Sequence, residues 1–423
     1  MTLPQDFVTY TRELFGEETW QKYLQSFEEP APVSIRLNPF KPLPLSTINS
    51  SLFTLHSSLP KDSSLFTLHS SLPKDSSLFT FHSSLFKEVP HCRNAYYLSE
   101  RPNFTLDPLF HAGAYYVQEA SSMYLDEVLQ KLMANSQKPI ANVLDLCAAP
   151  GGKSTLLRAA IPDDAVLYSN EPDHHRANIL LENMLKQGHP RVVVTNSYPR
   201  DYQKAGILFD LILTDVPCSG EGMFRKDPAT IKEWSVQNVM KCQQLQRTIV
   251  SDIWPCLKPG GILIYSTCTF NRHEDEENIE WIIDNLGAEI LMPAKRFIPG
   301  VDRGEGLFMA ALRKTSDDVV STKNRKGKND EKALRILANE PTANSQQPMF
   351  PPLEEFKRGA WPTVELTRED ALRYLRREAL VLPPDTPRGH VVVTYQGLPL
   401  GFVKNIGTRA NNLYPKEWKI RNL

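Results

Sequence analysis

Between Asn142 and Arg313 the chain alternates short apolar runs with stretches of helical character. That rhythm restricts the fold more than any other feature. Asn142–Cys147, Ala165–Asn170, Arg191–Thr195, Phe209–Thr214 and Gly261–Ser266 read as strands rich in Val, Ile and Leu, as strands covered on both faces are. Lys153–Ala160, Asp173–Gln187, Ser235–Leu257 and Glu276–Asn285 read as the helices between them, and Gly306–Arg313 as a closing strand. Strands alternating with helices predict an α/β fold built on a doubly wound, mostly parallel sheet. Ligands of such sheets bind outside the carboxyl ends of the strands.

The residues at those ends carry the chemistry. Asp145–Lys153, DLCAAPGGK, ends one strand and opens one helix, and Gly151 and Gly152 let backbone approach a ligand closely. Cys147 stands where a P-loop needs its first glycine, and there is no GxGxxG for a dinucleotide. Glu171 ends the next strand, where an acidic residue grips ribose hydroxyls. A glycine loop, a ribose site and no pyrophosphate site together suggest S-adenosylmethionine. TDVPCSGEG places Asp215 at another strand end with Cys218 just beyond, and GILIYSTCTFN does the same for Cys268. Most free cysteines are small core residues, and each of these residues is individually explicable as structure. Their shared position at one edge of one sheet is the signal. Two cysteines and an aspartate around a methyl donor match methylation of cytosine C5, a carbon too weakly nucleophilic until a thiolate adds to C6.

The remainder sets the context. The chain has 423 residues, enough for two or three domains. With 48 Lys and Arg against 49 Asp and Glu, no global field draws it to nucleic acid, so RNA must be met by local basic patches. Six cysteines without a CxxC pair argue against a zinc site and a disulfide framework. No apolar run approaches the ~20 residues of a membrane span, and the first residues lack a signal peptide's pattern. The expectation is a cytoplasmic monomer without metal or membrane partner.

Residues 1–110 read as a small α+β N-terminal domain. It has a helical start and a strand at Val33–Pro39, where Arg36 is an RNA contact or an exposed strand arginine. SLFTLHSSLPKDS at 51–63 recurs at 64–76 and partly again to residue 86, a Ser-rich tandem duplication expected to sit in a loop. HAGAYYVQEASSM, 111–123, reads as a loop entering a helix that carries Gln118, Glu119 and Ser121, and it opens a catalytic domain over 111–314. The polar stretch 315–347 reads as a linker. Residues 348–423 read as a small α+β domain. Thr367 caps a helix there, and strands His390–Tyr395 and Leu400–Asn405 meet at Gln396-Gly397. Lys404, Arg409, Lys416, Lys419 and Arg421 beside Phe402, Tyr414 and Trp418 suit RNA, or form a solvated basic face.

DLCAAPGGK, TDVPCSGEGMFRKDP and YSTCTFNRHEDEEN resemble the motifs of the Sun family of RNA (cytosine-5)-methyltransferases, and HAGAYYVQEASSM resembles the stretch those enzymes carry before the donor loop. FRKDP and the C-terminal domain look most like the bacterial RsmF-type ribosomal RNA branch. The resemblance covers residues 30–45 and 90–314, and the tail more loosely. It implies a Rossmann-like S-adenosylmethionine-dependent methyltransferase fold and an RNA-binding C-terminal module. It also implies Cys268 as the nucleophile, Cys218 assisting release and Asp215 contacting the target base. Cys147, Ala148, Ala149, Pro150, Gly151, Gly152, Lys153 and Glu171 match the donor-binding positions. The expected substrate is small-subunit (16S) ribosomal RNA, with transfer RNA as the alternative and a non-catalytic ribosome-assembly factor as the alternative of another class. Three departures stand out. Asn196-Ser197-Tyr198-Pro199 follows the Arg191–Thr195 strand where the family usually places an acidic residue near the adenine, so Asn196 is the candidate there. His91 stands where relatives often have tryptophan, and the repeat has no counterpart.

Overall fold

The computed structural model describes residues 2–53, 86–134, 139–319, 333–338 and 348–421. The repeat, from 54 to 85, lies outside them. The chain packs as two units. One comprises Met1–Pro32, Gln118–Met184 and Arg191–Ala338. The other comprises Val33–Val117, Leu185–Pro190 and Asn339–Leu423.

In the second unit β1 (Ser34–Leu37), β2 (Phe86–Glu88), β3 (Ala95–Leu98) and β4 (Tyr115–Val117) form an antiparallel sheet in the order β2-β3-β1-β4. Arg36, read as an exposed contact, is buried on β1. Gln118 and Glu119, expected on a helix, are irregular: strand β4 ends at Val117, and a 3₁₀ turn, Ser121–Tyr124, leads into the helix Leu125–Ala134. β-branched and aromatic residues at Tyr115–Val117 favour pairing with β1 over helix.

The first unit holds the large sheet. Its strands are β5 (Asn142–Asp145), β6 (Val166–Asn170), β7 (Val192–Thr195), β8 (Phe209–Asp215), β9 (Leu257–Thr267), β10 (Ala288–Phe297), β11 (Leu307–Lys314) and β12 (Ile336–Leu337), in the order β10-β11-β9-β8-β5-β6-β7-β12. β9, β8, β5, β6 and β7 are parallel neighbours. Leu144, Leu167, Leu211, Ile212 and Ile264 are fully buried, as the unbroken apolar runs required. The chain winds outward from β5 to β7 and then returns to lay β8 against β5. The sheet is therefore doubly wound, with its switch point between β5 and β8.

Two strands were not read from the sequence. β10 is an antiparallel edge strand interrupted by two register shifts, and its charges and Pro293 hide it. β12 lies inside the expected linker, pairs antiparallel with β7, and follows Leu334, which is buried in the core beneath the sheet. The N-terminal helices Gln5–Phe15 and Glu17–Gln25 also pack in this unit rather than with the N-terminal strands. Phe7 lies 4.9 Å from Phe224, and Phe15 lies 5.3 Å from Phe270.

The rest of the second unit forms a sheet β13-β14-β15-β16 from Thr363–Glu365, Gly389–Tyr395, Leu398–Asn405 and Ala410–Asn412. Gln396 and Gly397 both take positive φ, as a two-residue hairpin turn needs. Thr367 caps the helix Arg368–Leu375. Ile35 and Leu109 share one apolar core with Val391, Leu400 and Tyr414, so strands read as two small domains bury a common interior.

Candidate active site

β8 and β9 run parallel with Asp215 opposite Ser266, so the loops that follow them leave the sheet side by side. Cys218 Sγ and Cys268 Sγ come within 2.9 Å, both unbridged, and the Cys268 N–H points at Cys218 Sγ at 3.4 Å. Two buried carboxylates clamp the loops. Glu221 Oε2 accepts from Thr269 Oγ1 and from the backbone N–H of Phe270 and Asn271 at 2.7–3.0 Å. Its Oε1 accepts from Trp234 Nε1 at 2.8 Å. Glu274 accepts from the Ser219 N–H at 3.0 Å and from Gln246 Nε2 at 2.7 Å. Asn271 Nδ2 donates to both glutamates. Buried charge is tolerable only when its lone pairs are met in this way. Gly222 is required by close approach: a Cβ there would lie 2.8 Å from Cys268 O and 2.7 Å from Gly306 Cα. The cysteine motifs contain Glu221, Asn271 and Glu274, but pattern alone assigned them no task.

Lys153 Nζ donates to Asp215 Oδ2 at 2.8 Å, with Asp215 one-third exposed. Burial opposes the lysine's charge, but Asp215 outweighs it and the pKa lies above the usual lysine range. Lys153 therefore faces the Asp215 side of the crevice. Asp145 is fully buried beneath it. Its Oδ2 accepts from Ser154 Oγ at 2.7 Å, while Oδ1 has no hydrogen-bond partner among the described residues. Burial raises this carboxyl to about 7. Burial, with Asp145, Asp215 and Glu171 nearby, pushes the Cys147 thiol far above its ordinary range, which suits a packing thiol rather than a nucleophile.

The other half of the crevice is rimmed by backbone. Gly151, at φ +117°, precedes the helix Gly152–Ala160, and a Cβ there would press on Leu180 at 3.2 Å. The Ala148 N–H donates to Asn170 O. The Ala149 carbonyl accepts from Arg176 Nη2 at 2.9 Å, and Pro150's from Asn183 Nδ2 at 2.8 Å. Glu171 is buried at the end of β6. Its Oε1 accepts from the Asp173 N–H, and Arg176 lies 3.3 Å from Oε2. Asn196, just past β7, donates Nδ2 to Glu171 O at 2.8 Å and to Pro172 O at 2.9 Å. Asn170 ties three strand ends together by donating to Leu146 O and Ser197 O and accepting from Thr195 Oγ1. Arg176, Asn183 and Asn170 escaped the sequence reading because single polar residues beside a motif carry no pattern.

The residues read from the sequence thus meet along one edge: Cys147–Lys153 after β5, Glu171 after β6, Asn196 after β7, Asp215 and Cys218 after β8, and Cys268 after β9. The edge is rich in acceptors, with Asp145 Oδ1 unpartnered, and its cations are already paired. That fits a ligand bearing hydroxyl and ammonium donors, as S-adenosylmethionine does. In the C-terminal tail the basic residues reach solvent and the aromatics between them do not. Phe402, Tyr414 and Trp418 are buried in the core of the second unit and offer no stacking faces, although Lys404, Arg409, Lys416, Lys419 and Arg421 are exposed. Glu119 is a brace, accepting from the N–H groups of Ser121, Ser122 and Glu305. Among the described residues no helix is long and apolar enough to cross a membrane.

Residues 132–313 match the family model described as 16S rRNA methyltransferase RsmB/F, residues 362–420 that of the methyltransferase RsmF PUA domain, and residues 65–120 that of the N-terminal domain of 16S rRNA methyltransferase RsmF. Ribosomal RNA small subunit methyltransferase F of Enterobacter sp. (strain 638) is 30% identical over 405 residues, 78% of this chain and 83% of that protein. Among solved structures, a methyltransferase homolog protein from Pyrococcus horikoshii superposes with a TM-score of 0.54 at 26% identity, covering 74% of this chain and all of the other. NSun6 from Pyrococcus horikoshii, solved with SFG, superposes with a TM-score of 0.56 at 18% identity over 74% of this chain and 99% of its own. The last likeness speaks for the fold alone.

Proposed function

The chain belongs to the 16S rRNA methyltransferase RsmB/F family, S-adenosylmethionine-dependent enzymes. On that premise we propose that it methylates C5 of cytidine in small-subunit ribosomal RNA through a covalent bond from Cys268 to the base. The observation that carries this reading is the 2.9 Å approach of Cys218 Sγ and Cys268 Sγ beside the Lys153–Asp215 pair. A packing role needs no such pair at the carboxyl ends of β8 and β9, next to the switch point.

S-adenosylmethionine, when bound, supplies a methyl group on an electrophilic sulfonium. Cys147–Gly152 and Glu171 are the residues that would hold it, Glu171 toward the ribose hydroxyls. The target base must leave its stack to expose C6. Asp215 commits Oδ2 to Lys153, while Oδ1 accepts no bond from the described residues and is free to accept from the amino group of cytosine. The Cys268 thiolate adds to C6, the electron pair of the C5–C6 double bond moves to C5, and C5 takes the methyl group. The Sγ–C6 bond then breaks and the C5–H electron pair restores the double bond, the C5 proton passing to the Cys218 thiolate that is left once Cys218 has given its own proton to the departing Cys268 sulfur. The hydrogen bond to Cys268, and then burial, hold the Cys218 thiol well above its ordinary pKa. It therefore stays protonated and can donate its S–H to Cys268 Sγ as that sulfur departs.

Cys218→Ala should still add to C6 and transfer the methyl group but fail at release. We expect a protein–RNA adduct that survives denaturing electrophoresis and is absent from the Cys218→Ala, Cys268→Ala double variant. An adduct persisting in the double variant would remove Cys268 as the nucleophile. Labelled-methyl transfer to unmodified 16S rRNA and to transfer RNA tests the substrate: incorporation into transfer RNA alone would overturn the ribosomal assignment, and incorporation into neither would favour the assembly factor.

A further inference from the structure

The segment 333–338 was expected to be linker. It is instead fastened to the donor edge of the sheet at three levels. Leu334 is buried in the core that includes Tyr202 and Phe209. Ile336 and Leu337 pair with Thr195 and Val194 of β7. Between them, Arg335 closes a two-way backbone link. Its carbonyl accepts from the Asn196 N–H at 2.8 Å, and its N–H donates to Ser197 Oγ at 3.0 Å. Its guanidinium lies 6.0 Å from the ring of Tyr198, which is exposed.

The two residues so held form the turn on which the donor edge depends. The Asn196 side chain supports the backbone of Glu171 and Pro172. The Ser197 carbonyl and N–H both bond to Asn170, which also holds Leu146 at the end of β5. One chain of hydrogen bonds therefore runs from Arg335 through Asn196 to Glu171, and a second runs from Arg335 through Ser197 and Asn170 to the start of the glycine loop. An exposed edge strand only two residues long gains little from pairing alone. The buried anchor at Leu334 holds it in register.

We infer that residues 333–338 are a structural part of the methyl-donor pocket, with the Arg335 backbone positioning the Asn196–Ser197 turn and, through it, Glu171. The inference rests on the reading that Glu171 holds the donor. The segment acts on donor binding and leaves the RNA-facing cysteine loops alone, because none of its hydrogen bonds reaches them.

Arg335→Pro removes the N–H that Ser197 Oγ receives, whereas Arg335→Ala keeps both backbone groups. We expect Arg335→Pro to raise the dissociation constant for S-adenosylmethionine roughly three- to tenfold, as the loss of one hydrogen bond's support implies, and Arg335→Ala to stay within about twofold. Calorimetric titration of the full chain with S-adenosylmethionine reads both. In kinetics the loss should fall on the donor KM, with the RNA KM unmoved. Equal effects of proline and alanine would overturn the assignment to the backbone link, as would a matching rise in the RNA KM. Should Arg335→Pro fold poorly by circular dichroism, Ser197→Ala removes the same bond from the other side, and unchanged donor affinity there would overturn the inference. Glu171→Ala measured in parallel separates the two claims. If it weakens the donor and Arg335→Pro does not, the inference fails alone. If Glu171→Ala leaves the affinity unchanged, the donor reading itself fails.

Discussion

The two halves of the crevice are built on opposite plans. At the cysteine half, both oxygens of Glu221 and of Glu274 are met by donors within the protein, and the two loops are locked to each other. At the donor half an acceptor is left over: among the described residues Asp145 Oδ1 has no partner, and Glu171 is held by the Asp173 N–H and one largely exposed arginine. A half whose polar groups are saturated keeps its geometry without a ligand. A half with spare acceptors gains its last partners when the ligand arrives. On the proposed mechanism the nucleophile must already be in place when the base enters, so rigidity belongs on that side. The donor is loaded and released every cycle, so unspent valence belongs on the other.

The largest expected effect separates the halves outright. Cys268→Ala should lower methyl transfer by at least about a thousandfold, as loss of a covalent nucleophile does, while leaving the S-adenosylmethionine dissociation constant within about twofold. Near-normal turnover would move the nucleophile, most plainly to Cys218. A large loss of donor affinity would mean that the halves are not separable. Next comes the clamp. Glu221→Ala strips the acceptor from the Trp234 indole, the Thr269 hydroxyl and two backbone N–H groups. Leaving buried donors unmet should cost about 3 kcal/mol or more in a urea unfolding experiment. If Glu221→Ala were as stable as the parent chain, the saturated network would be ornament rather than clamp.

Glu171→Ala tests the donor half in the converse way. Losing a charge-assisted hydrogen-bond site to the ribose should cost about 1.5–3 kcal/mol, roughly tenfold or more in donor affinity. Unfolding stability should move far less than in Glu221→Ala, because among the described residues Glu171 receives the Asp173 N–H and the Arg176 guanidinium alone. A stability loss equal to that of Glu221→Ala, with unchanged donor affinity, would erase the contrast.

The same contrast explains what the sequence could show. The parallel strands announce themselves through short apolar runs such as Leu211-Ile212-Leu213, and their ends through motifs dense enough to be distinctive. Site residues that point at a ligand lie inside those motifs. The residues that position them are single polar side chains, such as Asn170 and Arg176, whose roles exist only once distant strands are neighbours. β12 was hidden for the same reason: two residues in a polar stretch have no period, and only the pairing with β7 makes them a strand. In the tail, composition misplaced the aromatics but not the RNA-binding domain, which the match of residues 362–420 to the methyltransferase RsmF PUA domain bears out. Phe402, Tyr414 and Trp418 alternate with basic residues, but a small sheet needs aromatics to fill its core before any can be spared for stacking.

The finest test concerns Asn196, where the family resemblance leads one to expect an acid. The resemblance alone suggests that restoring the acid would improve the site. The geometry argues the reverse. Asn196 is buried, and its Nδ2 is committed to the carbonyls of Glu171 and Pro172. A carboxylate in its place would face two carbonyl oxygens without a proton to offer and would stand near the Glu171 charge. Asn196→Ala should weaken donor binding by about fivefold, less than Glu171→Ala, because the strut acts on the ribose contact only through the backbone. Asn196→Asp should be no better than Asn196→Ala. Tighter donor binding by the aspartate would show that this position faces the adenine directly. The donor half would then be built from ligand contacts alone, without the struts described here.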